Sequence, residues 1–522
     1  MRRALSPAHV LALALALALA LAPELVRAGW NQQARTPPMS WRSWNQYGCN
    51  VSQPDIVANA RALVDTSRTV DGAPTSLAQL GYITAGLDDC YQELLDSSCV
   101  YPGFGGERLA SFAVEGADGP AVAPPNGPPY TQHDNNGRPV VNRTRFPDLL
   151  AMSTEIHALG LQSGWYQNNC FCRDHCGSEA CYLGDTDALL DYDFDAGAKR
   201  FPPPPLWTTL PLPSVDPRPA RLQPYLRAQS VKYDGCGASD GNLSFYGTLL
   251  NRSVKAPLVI MENCNNDNGP DGTTPLDQYP FHLYRTSYDI RPTYGSIISN
   301  AQTVFGNTAA VSGPSCWAYA DMLEVGVTVQ VLTARAPVRR EHAAAVARAL
   351  RDPLPPVLTL TEARTHFAIW CVLSQPLTLT NNLTDHDGMD AVWPIIANRE
   401  AIAVDQAWAG HPGDLLAQAA ETVVLLHCVP IWAGDKNCSL PVWQQMAKPL
   451  PSGAAAVVVA NNGFSVVTTQ INLTAVPGLA CAAGGGSCAV RDVHAHTDLG
   501  RFAGSVPVAN LASHDSVFYV IS

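Results

Sequence analysis

Short apolar runs recur along the chain and end on polar residues, with stretches of helical spacing between them. Gly81-Tyr82-Ile83-Thr84-Ala85-Gly86-Leu87 reads as a strand that stops at Asp88-Asp89-Cys90. Phe146 to Leu159 places apolar residues at helical intervals, and Gly160 supplies the stop. Leu161 to Tyr166 reads as the next strand, followed further on by Val231-Lys232-Tyr233-Asp234 and Leu258-Val259-Ile260-Met261. Strands alternating with helices predict parallel βα units. Residues 29–410 are long enough for a (β/α)8 TIM barrel, whose active site would lie where the strands end. From about 411 to 522 the pattern changes to short β-rich runs, Thr422–His427, Ala454–Val459 and Ser465–Ile471, with Gly-rich turns between them. That alternation predicts a C-terminal antiparallel β-sandwich domain that packs on the barrel.

Residues 1–28 read as a signal peptide: Arg2 and Arg3 precede a Leu/Ala run from Val10 to Ala22, and Val26 and Ala28 fit a cleavage site. The run is short for a bilayer span, so no stable membrane insertion is expected. Fifteen cysteines and seven Asn-x-Ser/Thr acceptors, at Asn50, Asn142, Asn242, Asn251, Asn382, Asn437 and Asn472, agree with a secretory route. The destination, extracellular or vacuolar/lysosomal, stays open. Cys170, Cys172, Cys176 and Cys181 have a spacing that zinc would accept, but in so cysteine-rich a chain disulfides are the expected use. A formal charge of −12 argues against nucleic acid as a partner.

Three acid clusters close predicted strands: Asp88-Asp89, Asp234 after Lys232-Tyr233, and Asp289 in Arg285-Thr286-Ser287-Tyr288-Asp289-Ile290. Any one of them alone would more simply be a helix cap or a loop acid. Together they face one barrel mouth, and a pair of carboxylates is what a glycosidase needs: one as nucleophile, one as proton donor. Lys232, two residues before Asp234 on a strand, points to the same face and should keep that carboxylate ionised. Tyr288 and Ile290 are expected to give Asp289 the less polar setting that raises its pKa.

Thr36-Pro37-Pro38-Met39-Ser40-Trp41-Arg42-Ser43-Trp44-Asn45 resembles the opening of glycoside hydrolase family 27, the α-galactosidases and α-N-acetylgalactosaminidases. Gly81–Cys90 is similar to that family's second strand and Gly160–Tyr166 to its third. Lys232–Cys236 is similar to its nucleophile motif, and Arg285–Ile290 to its acid/base motif. Asp321–Gly326 resembles a later strand, Arg364–Trp370 with Gln375–Leu377 the closing strand, and Asn398–Gln406 the exit from the barrel. The resemblance implies a retaining hydrolase of terminal α-D-galactosyl residues, with Asp234 as nucleophile and Asp289 as acid/base. It further implies that Asp88 and Asp89 hold the galactose hydroxyls at carbons 6 and 4. Trp44 and Tyr166 would wall the sugar, Lys232 and Arg285 would contact hydroxyls or orient the nucleophile, and Asp321 would line the pocket. No metal or organic cofactor is implied. The implied partner is an α-galactoside oligosaccharide or glycoconjugate, and a homodimer is left open.

Two departures bear on specificity. Asn265 stands where the family reads the carbon-2 substituent, and is neither of its usual residues; Tyr319 replaces an aspartate common in the family. α-N-Acetylgalactosaminidase, β-L-arabinopyranosidase and a catalytically silent carbohydrate-binding protein therefore remain alternatives. Inserts near 197–229 and 329–358 also interrupt the pattern. Pro202–Pro205 forbid helix or central strand, so the first must loop outside the barrel. Arg339 to Arg351 has the composition of an exposed helix. Each insert is either a genuine surface loop or intron-derived sequence retained in the reading frame.

Overall fold

The computed structural model describes residues 33–92, 138–167, 179–192, 230–234, 243–252, 260–264, 269–328, 357–429 and 436–522. The signal peptide 1–28, Asn265, Cys170, Cys172, Cys176 and nearly all of both inserts lie outside them.

Among the described residues, eight short parallel strands form one sheet: β1 (Met39–Arg42), β2 (Thr84–Gly86), β3 (Gln162–Gln167), β4 (Ser230–Tyr233), β5 (Ile260–Asn263), β6 (Leu283–Arg285), β7 (Trp317–Tyr319) and β8 (Leu377–Leu379). They pair in chain order, and β8 returns to β1 with Leu377 opposite Met39. Leu323, just past β7, bridges Leu379 of β8, and its N–H donates to Thr378 O at 2.8 Å. The sheet thus curls until its first and last strands meet, which is the (β/α)8 barrel expected from the alternating pattern.

Helices Gln53–Leu63, Leu149–Ala158, Glu179–Asp191, Leu243–Arg252, Tyr294–Gln302 and Leu360–Val372 connect successive strands. Their starts are set locally: Asp148 accepts from Ala151 N, and Thr359 and Glu362 close a reciprocal capping box. The strands themselves are buried on both faces, as parallel strands covered by helices must be.

Two expected boundaries move. Arg364–Trp370 is not part of a closing strand but the centre of the helix Leu360–Val372. Its apolar residues are buried almost all round because the sandwich covers the face that a barrel helix normally shows to water. The strand before the Asp321 motif is Trp317–Tyr319, and Asp321 follows it on the turn.

The C-terminal part is antiparallel. A six-stranded sheet runs Asp414–Gln418, Trp443–Pro449, Ala455–Asn461, Ser516–Ile521, Ser487–Asp492, Thr497–Ala503 in spatial order. The antiparallel pair of Val467–Asn472 and Ser505–Leu511 makes the opposing layer. Every residue of Ala455–Asn461 is buried. Ala455, Val457 and Val459 point into the sandwich core, whereas Ala456, Val458 and Ala460 join the core of the barrel. Lys448 crosses the same seam, donating to Val404 O at 2.6 Å and Asp405 O at 2.8 Å, the open carbonyl end of helix Arg399–Gln406.

Candidate active site

The strand ends bring the sequence-selected acids together in two groups. The first is built on β2, β3 and β4. Residues of a strand that differ by two share a face, so Lys232 and Asp234 converge above β4. Lys232 Nζ stands 3.2 Å from Asp88 Oδ1 and 3.9 Å from Asp234 Oδ2. Tyr166, from β3, donates its hydroxyl to Asp234 Oδ2 at 2.6 Å, and its ring lies under the Lys232 ammonium, 5.2 Å from Nζ. Burial opposes the Lys232 charge, but Asp88, Cys264 and Asp234 outweigh it and hold the ammonium well above the ordinary lysine range. Asp88 and Asp89 are wholly buried. Their carboxylates are fixed by the turn itself: Asp88 Oδ1 accepts from Asp89 N at 2.9 Å, and Asp89 Oδ1 from Cys90 N at 2.6 Å. The Cys49–Cys90 disulfide ties that turn to the segment after β1.

The second group belongs to β6 and the turn after β7. Arg285 Nη2 donates to Asp289 Oδ1 at 3.0 Å and lies 2.9 Å from Asp321 Oδ2. Asp321 adopts φ +84°, a left-handed conformation unusual for a residue with a side chain. Its carboxylate accepts from Ile290 N at 2.8 Å and Met322 N at 2.7 Å, which holds the strained turn in place.

The two groups meet around Cys264, at the end of β5, where the charges of Lys232, Asp234 and Arg285 are all felt. Lys232 also acts on Asp289 across the mouth. Asp234 and Asp289 are the open members: their side chains are 23% and 34% exposed, whereas Asp88 and Asp321 are at most 5% exposed. Open carboxylates flanked by closed ones are what a small polar substrate would meet.

The expected setting of Asp289 needs correction. Burial does push its carboxyl up, but Arg285, with Arg291 and Lys232, brings it below the ordinary carboxylate value. Tyr288 is half-exposed and cannot supply the apolar wall expected of it. Asp321 goes the other way, raised by burial and by the neighbouring Asp289 against the pull of Arg285. Trp44 follows β1 and packs, half-buried, on Leu283, Tyr319 and Met322, at the rim of the same mouth. All the described site residues therefore come together. Two charged residues in contact with them were not singled out by the sequence reading, Arg42 and Glu262. Both are buried, at 3.6 Å from each other, and their signal was an unexplained charge inside an apolar strand.

Comparison with known proteins agrees with this fold. Residues 441–521 match the α-galactosidase C-terminal β-sandwich domain. An α-galactosidase of Oryza sativa subsp. japonica is 26% identical over 502 residues, covering 95% of this chain and 87% of the rice protein. The chain is similar over nearly its whole length to α-galactosidases. The fold is shared with α-galactosidase I of Mortierella vinacea, with TM-score 0.60 and 18% identity, over 94% of this chain and 98% of that one. It is also shared with a family 27 β-L-arabinopyranosidase of Geobacillus stearothermophilus, at 0.61 and 16%, over 95% and 98%. The same scaffold thus occurs in proteins of more than one sugar specificity.

Proposed function

We propose that this protein is an α-galactosidase that removes terminal α-D-galactosyl residues with retention of configuration. The observation that carries the reading is the pairing of two partly open aspartates on one mouth, each held by its own buried cation and closed carboxylate. Asp234 attacks the anomeric carbon while Asp289 donates its proton to the departing oxygen, giving a covalent galactosyl–Asp234 intermediate. Asp289, now a carboxylate, takes a proton from water, which displaces Asp234 and regenerates both groups. The Tyr166 hydroxyl fixes one oxygen of Asp234 and leaves the other to react. Asp88 and Asp89 receive the sugar hydroxyls, with Trp44 and Tyr166 beside the ring. The reaction asks for no metal or organic cofactor, since the carboxylates carry both the proton and the covalent bond.

The substrate is an α-galactoside oligosaccharide or glycoconjugate met in the secretory pathway or beyond it. The disulfides Cys49–Cys90, Cys428–Cys438 and Cys481–Cys488 support an oxidising compartment. No helix among the described residues is long and apolar enough to cross a membrane.

The test is a rate comparison of aryl α-galactoside, α-N-acetylgalactosaminide and β-L-arabinopyranoside, with Asp234→Asn as control. The α-galactoside should be cleaved fastest, and Asp234→Asn should abolish turnover while sugar still binds. A faster rate on either other substrate reassigns the specificity; full activity in Asp234→Asn removes the nucleophile.

A further inference from the structure

A second charged layer crosses the barrel beneath the open aspartates. Arg42 ends β1, only 2% exposed, and its guanidinium spans the neighbouring strands. Nη1 donates to Leu87 O at 3.2 Å and Trp165 O at 3.4 Å, and Nη2 to Ser230 Oγ at 2.9 Å. Nε lies 3.6 Å from Glu262 Oε2, and Nη1 3.8 Å from Asp88 Oδ2. The side chain has a made-to-measure bed. A Cβ on Gly86 of β2 would stand 2.8 Å from Arg42 Cγ, so only glycine there lets the arginine lie across the barrel.

We propose that Arg42 and Glu262 are positioning residues that keep Lys232 directed at Asp88 and Asp234. This rests on the reading of Asp234 as nucleophile. Glu262 faces Lys232 as well as Arg42 and Asp88, and Cys264 donates to its Oε1 at 3.3 Å. Burial pushes the Glu262 carboxyl up, and Arg42 and then Lys232 pull it back. Tyr319, from β7, is the other titratable group that feels it. Two cations, Arg42 and Lys232, therefore serve three carboxylates, Asp88, Asp234 and Glu262. Without Arg42, Glu262 has only Lys232 to turn to, and Lys232 is drawn away from Asp234. The cluster then relieves its excess negative charge by binding a proton, and a proton on Asp234 stops the attack.

The experiment is the pH profile of kcat/KM on an aryl α-galactoside, with galactose binding by calorimetry as a second readout, on the full-length protein. Arg42→Met should move the acid limb up by about one pH unit. At pH values below both limbs this lowers kcat/KM about tenfold, and galactose binding weakens as Asp88 loses a cation. The isosteric Glu262→Gln should move the limb down. The double variant, with the original balance of charge, should recover most of both losses. An acid limb unmoved in Arg42→Met, or a double variant no better than the single, overturns the proposal. If Arg42→Met does not fold, Glu262→Gln decides alone, and an upward or absent shift overturns the proposal. A wild type that binds galactose but turns nothing over would sink the nucleophile reading, while the binding series still judges the pair.

Discussion

Asp289 and Asp321 show how a single guanidinium divides the labour of two acids. Arg285 lies about equally close to both, yet Asp289 is held below the ordinary carboxylate value while the more deeply buried Asp321 rises above it. A general acid works only while protonated, so the lower its pKa, the lower the pH at which activity begins to fail. The wild-type kcat/KM should therefore be highest on the acid side and fall toward neutrality. Arg285→Met should move that alkaline limb up by about one to two pH units, because the strongest charge lowering Asp289 is gone. The rate at the optimum should fall as well, since Asp321 loses its partner. An unmoved alkaline limb would mean that Asp289 is not the group titrating there. Leaving-group dependence gives an independent check: Asp289→Ala should cost far more on a poor leaving group than on an activated aryl glycoside, which departs without protonation. Equal losses on both would make Asp289 structural.

At the level of elements, the site depends on how closely β2 approaches β3. Gly86 lies opposite Gly164, and a Cβ on Gly164 would stand 2.7 Å from Gly86 Cα. The obstacle is backbone, so the strands themselves would have to part. Gly164→Ala should destabilise the protein by about 1–3 kcal/mol in chemical unfolding. It should also lower activity, because Leu87 and Asp88 leave β2 at this point and the Arg42 bed lies beside it. A variant as stable and active as wild type would show that the strands have room to spare. Much of this level was legible beforehand. Acids at strand ends, the Lys232–Asp234 spacing and the switch to short β-rich runs with Gly-rich turns after residue 411 each follow from local patterning. What misled was a helix read, on the resemblance, as a strand: Thr365–Trp370 is buried, and the layer that covers it comes from residues more than 70 positions later in the chain. The setting of Asp289 was hidden for a similar reason. Tyr288 and Ile290 flank it in sequence, but Arg285, with Arg291 and Lys232, supplies the charge that sets it. Arg42 and Glu262 sit on different strands, and their charges make sense only once the barrel has closed.

On the scale of the whole molecule, the sandwich is part of the barrel's core and not an appended module. Ala455–Asn461 is buried on both faces, its even-numbered side chains among the barrel helices and its odd-numbered ones inside the sandwich. The Lys448 ammonium closes the carbonyl end of the last barrel helix, so that helix has no finished terminus without the second domain. Gly413 makes the junction itself: its φ is +102°, and a Cβ there would stand 2.0 Å from Val372 O, the end of the helix that leads into β8. With a core, a helix terminus and a turn held in common, neither part can unfold and leave the other intact. A change confined to the sandwich core should therefore reach the active site. Val457→Ala opens a cavity on the sandwich side of the shared strand, and should destabilise the molecule by about 2 kcal/mol. Calorimetry should record one transition, shifted to lower temperature, and the midpoint of thermal inactivation should fall with it by the same number of degrees. Two resolved transitions, with inactivation following the one that Val457→Ala leaves unmoved, would instead show a barrel that stands without its sandwich.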